Sequence, residues 1–127
     1  MSERSVLETK SSSFAVRIIK LYQYLVDNSK EYVLSKQLLR SGTAVGALIK
    51  EAQNAESKMD FVHKLGIAQK ECAETSYWLE LLKETNYIKT NEFESVNKDA
   101  VEILKMIRSA ILTTKANLKS TLIIRNS

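Results

Sequence analysis

The sequence contains no proline and only three glycines, so the residues that shape the turns of β sandwiches and barrels are nearly missing. This scarcity disfavours an all-β fold. A single cysteine cannot form a disulfide within the chain, which is what we expect of a protein in the reducing cytoplasm. No apolar run approaches the ~18 residues of a transmembrane helix, and the polar N-terminus does not resemble a secretory signal.

The residues that are present are typical of a globular protein. Of the 127 residues, 44% are hydrophobic and 27% are charged. A chain of this length buries roughly two-thirds of its unfolded surface, so it can fold without a metal or a disulfide. We therefore expect one domain over 1–127, with an ordered core at about 11–120.

Four segments show the apolar spacing of an amphipathic helix, in which one face recurs every three or four residues. They cover about 13–28, 33–54, 58–85 and 92–120. Their short connections force neighbouring helices to run antiparallel. The sequence therefore predicts an all-α, antiparallel up-down-up-down four-helix bundle.

Capping residues accompany these segments. Serines at 11–13 can cap the first helix, and Ser57 can cap the third. Asn86 can adopt the left-handed conformation that ends the third helix, and Asn91 gives a start signal for the fourth. Residues before this first cap have no supporting apolar pattern, so we expect them to fray.

The sequence offers little catalytic chemistry. His63 and Cys72 are nine residues apart on one helix, so they point to nearly opposite faces and cannot form a dyad within one subunit. Asp60 and His63 have the spacing of a di-metal bundle motif, but one histidine cannot supply the two copies that such a site needs. We expect no enzyme activity, no cofactor and no metal.

The charge pattern is more informative than the net charge of +4. From residue 103 to the C-terminus the chain has five basic residues and no acid. At about 100° per residue, four of the five fall within an arc of ~80° on the fourth helix, beside its apolar stripe. These four are Lys105, Arg108, Lys115 and Lys119.

The first helix also has an acid-free stretch, which includes Arg17 and Lys20. In an up-down bundle its start and the end of the fourth helix meet, so we expect Arg17 and Lys20 to join the four cations in a basic end. A phosphate backbone of RNA or DNA fits such a patch. Alternatively, the lysines only complement the helix dipole. No aromatic residue interleaves with the cations, which favours backbone contact over base reading.

The third helix carries more apolar surface than one core stripe requires. Its additional positions include two aromatic residues, which are typical of an interface core. We expect an oligomer interface at Ile67, Tyr77, Trp78 and Leu81. The alternative is a wide core stripe with the aromatic rings along the edge of the bundle.

Several stretches resemble a known family. They are QLLRSGTAVGALIKEA at 37–52, KMDF at 58–61, IA at 67–68 and YWLELL at 77–82. Over about 13–118 the chain is similar to a small bacterial four-helix-bundle family. That family includes proteins encoded in intervening sequences of large-subunit ribosomal RNA and the accessory variability determinant of diversity-generating retroelements.

The resemblance implies a homopentamer without enzymatic activity and, for the retroelement relative, binding of nucleic acid and of a reverse transcriptase through basic surface. The chain departs from the family at Ala44, where serine is common, and at Leu48, where asparagine is common. We interpret both as drift of the core, with any polar role lost. The sequence thus predicts a non-enzymatic, oligomeric nucleic-acid-binding bundle. The alternative is a protein-binding scaffold or a reverse-transcriptase accessory factor.

Overall fold

The computed structural model describes residues 5–125, with the side chains of residues 5–121. It consists of four helices, α1 (Val6–Ser29), α2 (Leu34–Gln53), α3 (Lys58–Glu84) and α4 (Thr90–Arg125). Each helix packs against the next along the chain, and α4 returns to contact α1. The predicted all-α four-helix bundle is confirmed.

The core is formed by apolar side chains that recur every three or four residues on each helix, as the amphipathic pattern predicts. Its largest fully buried members are Phe14, Ile18, Leu25, Leu38, Ile49, Leu65, Leu79, Leu82, Ile103 and Ile107. One polar pair interrupts it. The Thr75 hydroxyl lies 3.0 Å from Ser41 Oγ and 2.8 Å from the Glu71 carbonyl oxygen, so this buried hydroxyl is satisfied.

Glycine permits the close crossing of α1 and α2. A Cβ atom at Gly42 would lie 2.7 Å from Cγ2 of Ile18, far inside van der Waals contact. Glycine inside a helix costs about 1 kcal/mol relative to alanine. Here the absence of a side chain lets Ile18 pack directly on the α2 backbone. Helix α2 accordingly stays unbroken through both of its glycines.

Helix α1 begins seven residues before the predicted position. Ser5 Oγ accepts a hydrogen bond from the Glu8 backbone N–H at 3.1 Å, so Ser5 is the N-cap, and not the serines at 11–13. Leu7 is buried against the core and anchors this first turn. Residues 6–10 are therefore helical, contrary to the expectation that they fray.

The other helix ends show one unexpected cap. Ser57 caps α3 and Asn86 has a φ of 67°, as predicted. Helix α4 starts at Thr90, so Asn91 lies inside the helix and is not its start signal; instead the Glu92 carboxylate accepts from the Lys89 backbone N–H at 3.0 Å. At the start of α2 the cap is Glu31, whose carboxylate accepts from three consecutive backbone N–H groups, those of residues 33–35.

Helix α4 is the longest, with 36 residues against 24 in α1. Ser109 and Ala110 line the same cleft as Ser5, so this is where α4 passes the start of α1. Between residues 110 and 121 it continues for about 16 Å at 1.5 Å per residue. No side chain in 112–121 is buried.

Candidate nucleic-acid interface

Four exposed cations follow the outer face of α4, opposite the buried Ile103 and Ile107. No carboxylate lies within ion-pair distance of any of them in the part of the chain whose side chains are described. Because no acid follows Glu102 in the sequence, the helix itself supplies no neutralising charge beyond that point. We call this set the α4 cation ridge. It consists of Lys105, Arg108, Lys115 and Lys119.

The last acid before the ridge is already paired. Glu102 Oε2 lies 2.6 Å from Lys10 Nζ on α1. The hydrogen bond from Lys10 lowers the pKa of Glu102, and the same contact raises the pKa of Lys10. Glu102 is therefore bound to α1, and its charge also acts, more weakly, on Lys98 and Lys105 of its own helix. An exposed apolar residue, Leu112, lies within the arc of the ridge.

Arg17 and Lys20 do not join the ridge, which corrects the expectation of a single basic end. Arg17 Nη1 lies 2.8 Å from Asp99 Oδ2, and Arg17 Nη2 lies 2.9 Å from Ser95 Oγ. Lys20 lines a cleft with residues of the first turns of α4, among them Glu92. Lys115 lies sixteen residues beyond Asp99, about 24 Å along the helix.

This separation has a simple geometric cause. Arg17 lies near the middle of α1, and α4 is longer than α1, so the middle of α1 lies level with the first third of α4. The basic stretch of α1 thus faces the acidic stretch of α4 across the bundle. Three acids also have roles within the bundle: Asp99 and Glu92, described above, and Glu31.

Glu31 is only 8% exposed, although it is charged. Burial is the largest single effect on its carboxyl group and opposes ionisation, but the hydrogen bonds from Leu34, Ser35 and Val33 together outweigh it, so the pKa of Glu31 is lowered. Glu31 is therefore a structural cap of α2 and contributes little to the outer surface.

The stretch QLLRS, residues 37–41 of α2, binds α2 to α3 through side-chain contacts. Arg40 Nη1 lies 2.9 Å from Glu71 Oε2, and Arg40 Nη2 lies 2.6 Å from Glu74 Oε2. The Gln37 amide oxygen accepts a further bond from Arg40 Nε at 3.3 Å. Ser41, the next residue, makes the buried contact with Thr75. The guanidinium of Arg40 is therefore already occupied.

The apolar face of α3 that was expected at an interface is only partly exposed. Tyr77 is 53% exposed, and its ring centroid lies 5.2 Å from that of Trp78. Trp78 packs against the core, and its Nε1 is buried with no hydrogen-bond partner in the described part of the chain. Ile67 and Leu81 are half-buried. Tyr77 is thus the member of this set with free surface.

His63 and Cys72 lie apart in the structure. His63 is exposed, whereas Cys72 is buried and its Sγ lies 3.3 Å from the Ala100 carbonyl oxygen. Burial raises the pKa of Cys72 to about 11, against a smaller opposing effect of Arg108. At neutral pH this thiol stays protonated and is a poor nucleophile.

Residues 5–125 provide neither a metal site nor a membrane span. No group of three or more histidine, cysteine, aspartate or glutamate side chains there has an arrangement that could hold a metal ion. In the same residues, no helix combines the length and the apolar character that crossing a bilayer requires.

The fold and the cation ridge define a class, namely small helical bundles with one strongly basic helix face. A family model described as 23S rRNA-intervening sequence protein matches residues 4–109, and the chain belongs to this family. No curated protein matches the sequence.

A solved structure is also similar. It is a protein with unknown function from the S23 ribosomal protein family of Bacteroides thetaiotaomicron, with a TM-score of 0.83 and 55% sequence identity. The alignment covers 84% of this chain and 98% of that chain. The family match ends at residue 109, so Lys115 and Lys119 lie outside it.

Proposed function

We propose that this protein is a non-enzymatic, cytoplasmic helical bundle that binds the phosphate backbone of nucleic acid along the α4 cation ridge. The observation that carries the proposal is the set of four exposed cations on one helix face with no carboxylate within ion-pair distance among the described side chains. A row of ammonium and guanidinium groups attracts phosphates and displaces their counterions. The family description refers to 23S ribosomal RNA, which makes RNA the first polymer to test.

The ridge has the dimensions of a backbone contact. From Lys105 to Lys119 the helix rises about 21 Å. Four phosphate contacts give a slope of log affinity against log salt of roughly −3.6 for a duplex and −2.8 for a single strand. The ridge carries no amide and no aromatic side chain, so its cations can recognise phosphates but have little means of distinguishing bases.

Self-association would multiply these contacts. We propose that the protein assembles as a homo-oligomer, with a pentamer as the form that the sequence resemblance implies, through the α3 surface that contains Tyr77. Several ridges on one particle raise the overall affinity by increasing the effective concentration of each further contact. Weak individual phosphate contacts then suffice for stable binding.

The test is a salt titration of binding to a blunt RNA duplex. The double variant Arg108→Glu/Lys115→Glu removes two ridge contacts, and we expect the slope for the duplex to become shallower by about 1.8 while helicity persists. The matched control is Lys36→Glu/Lys70→Glu, because both of these lysines are exposed on α2 and α3 and the charge change is equal. An equal loss of duplex affinity in both double variants would mean that the net charge of the protein, and not the ridge, determines binding. Absence of duplex binding by the wild type at low salt would contradict the proposal and favour a protein partner.

A further inference from the structure

A cleft of about 480 Å³ lies far from the ridge, between the end of α1 and the α3–α4 connection. Two tyrosine rings line it, with Tyr24 49% exposed and Tyr87 39% exposed. Its polar wall consists of Ser29, Lys83, Asn86, Lys89, Thr90 and Glu92. The volume lies in the range of about 300–1,000 Å³ that is typical of small-molecule sites.

The two rings are free to receive a ligand. Within residues 5–121, neither hydroxyl makes a hydrogen bond and neither ring contacts another aromatic ring. Three of the four exposed aromatic residues in that part of the chain, Tyr24, Tyr32 and Tyr87, lie at this end of the bundle. The aromatic side chains that the ridge lacks are therefore concentrated at the opposite end.

Cations accompany these rings. Lys89 is exposed, and Lys83 is held with its Nζ 4.6 Å from the centroid of the Phe93 ring and 3.3 Å from Glu84 Oε1. The one carboxylate in the wall, Glu92, accepts the backbone hydrogen bond of Lys89 and caps α4. The cleft thus combines exposed aromatic faces with one ammonium group left unpaired by the described side chains, that of Lys89, while Lys83 is held by Glu84 and Glu92 already has a structural role.

We propose that this cleft binds a nucleotide of single-stranded nucleic acid. The base stacks on Tyr24 or Tyr87, and Lys89 attracts a flanking phosphate. Every base has a π-face, so stacking on an aromatic ring tolerates any sequence, and the combination with cations is the usual means by which proteins hold single strands. Bases in a duplex are already stacked on each other, so a duplex does not supply this ligand.

The cleft is independent of the ridge. Lys105 lies fifteen residues after Thr90, about 22 Å further along α4. Loss of duplex binding in the ridge variants would therefore leave the cleft intact, and loss of the cleft would leave duplex binding intact. The two proposals can fail separately.

The experiment measures the affinity of a labelled oligoadenylate by fluorescence anisotropy at moderate salt. We expect Tyr24→Ala and Tyr87→Ala each to weaken binding about fivefold or more, and Tyr24→Phe and Tyr87→Phe to preserve it, because phenylalanine keeps the stacking face. The control is Tyr32→Ala, which removes an equally exposed tyrosine at the same end that does not line the cleft. Duplex affinity and helicity should not change in any of these variants.

Four results would overturn the proposal. An equal loss in Tyr32→Ala would show that no particular ring acts. Equal binding of an abasic strand of the same length would show that only phosphates are held. Displacement of the oligoadenylate by an equimolar concentration of adenosine monophosphate would assign the cleft to free nucleotides. Displacement by poly-glutamate as effective as by unlabelled oligoadenylate would assign it to an acidic peptide.

Discussion

Arg17 and Asp99 face each other across the α1–α4 interface, with Nη1 and Oδ2 2.8 Å apart. One turn of α4 further on, Lys10 and Glu102 form a second ion pair between the same two helices. The basic stretch of α1 is therefore matched by the acidic stretch of α4. The ion pair with Asp99 accounts for the position of Arg17 in the single chain.

The first prediction separates a pairing residue from a binding residue. Arg17→Gln should lower the free energy of unfolding by only about 0.2–1 kcal/mol, because exposed ion pairs contribute little. It should leave RNA duplex affinity unchanged, whereas Arg108→Gln should lower that affinity and leave stability unchanged. Urea unfolding and duplex titration of both variants measure the two effects. A loss of duplex affinity in Arg17→Gln as large as in Arg108→Gln would return Arg17 to the binding surface.

The second prediction concerns the crossing of α1 and α2. Gly42→Ala should destabilise the fold by about 1–3 kcal/mol, because the new methyl group overlaps Ile18 in a packed core. Gly66→Ala is the matched control. No atom lies within 4 Å of a Cβ at Gly66, so alanine there should stabilise α3 by about 0.5–1 kcal/mol. Urea midpoints that shift in the same direction for both variants would contradict the geometry.

The third prediction concerns pH. The pKa of Glu31 is lowered in the folded state from its ordinary value of 4.5, so its contribution to stability is complete above that value. It is lost as pH falls through the lower pKa of the folded protein. Glu31→Gln should remove about 1–2 kcal/mol at neutral pH and flatten the acid dependence of unfolding. The control is Glu80→Gln at an exposed position, which should change neither the stability nor its dependence on pH. If the free energy of unfolding of Glu31→Gln falls with decreasing pH as steeply as that of the wild type, the Glu31 cap is not the source of the acid dependence.

The fourth prediction concerns self-association. Tyr77→Glu should dissociate the oligomer without loss of helicity, because its side chain is largely exposed in the single chain and would be covered in the assembly. Trp78→Glu is unsuitable, since Trp78 packs against the core. Sedimentation velocity measures the change. A wild type that sediments as a single 14.4 kDa species at micromolar concentration would remove the basis of the oligomer proposal.

The local parts of the structure were predictable from the sequence. Apolar spacing identifies the helices because burial of one face imposes a period of 3.6 residues. Ser57 and Asn86 mark helix ends through chemistry that acts within a few residues. Ser5 and Leu7 were missed because one apolar residue does not form a pattern, although Ser5 and Glu8 have the Ser-x-x-Glu spacing of a capping box. Glu31 was missed because a glutamate that caps from outside a helix has no short sequence signature.

The long-range parts could not be predicted in the same way. Arg17 contacts Asp99 only because α1 and α4, which are far apart in the chain, pack with one particular axial offset. That offset depends on the packing of the whole core. The cleft joins Tyr24 to Tyr87 for the same reason. A weaker signal for it was present, since Tyr24, Tyr32 and Tyr87 all lie within a few residues of turns that an up-down bundle places at one end.

Helix α4 extends past the start of α1 after residue 110, so the surface charge of this extension and the stability of the bundle can change separately. Lys115 and Lys119 are exposed, in the stretch 112–121 of α4 without buried side chains, and lie beyond residue 109, where the family match ends. Substitutions there can strengthen or weaken attraction to a polyanion without disturbing the packing that keeps the bundle folded. Selection can therefore change the charge at this end of the helix while the shared fold stays as it is.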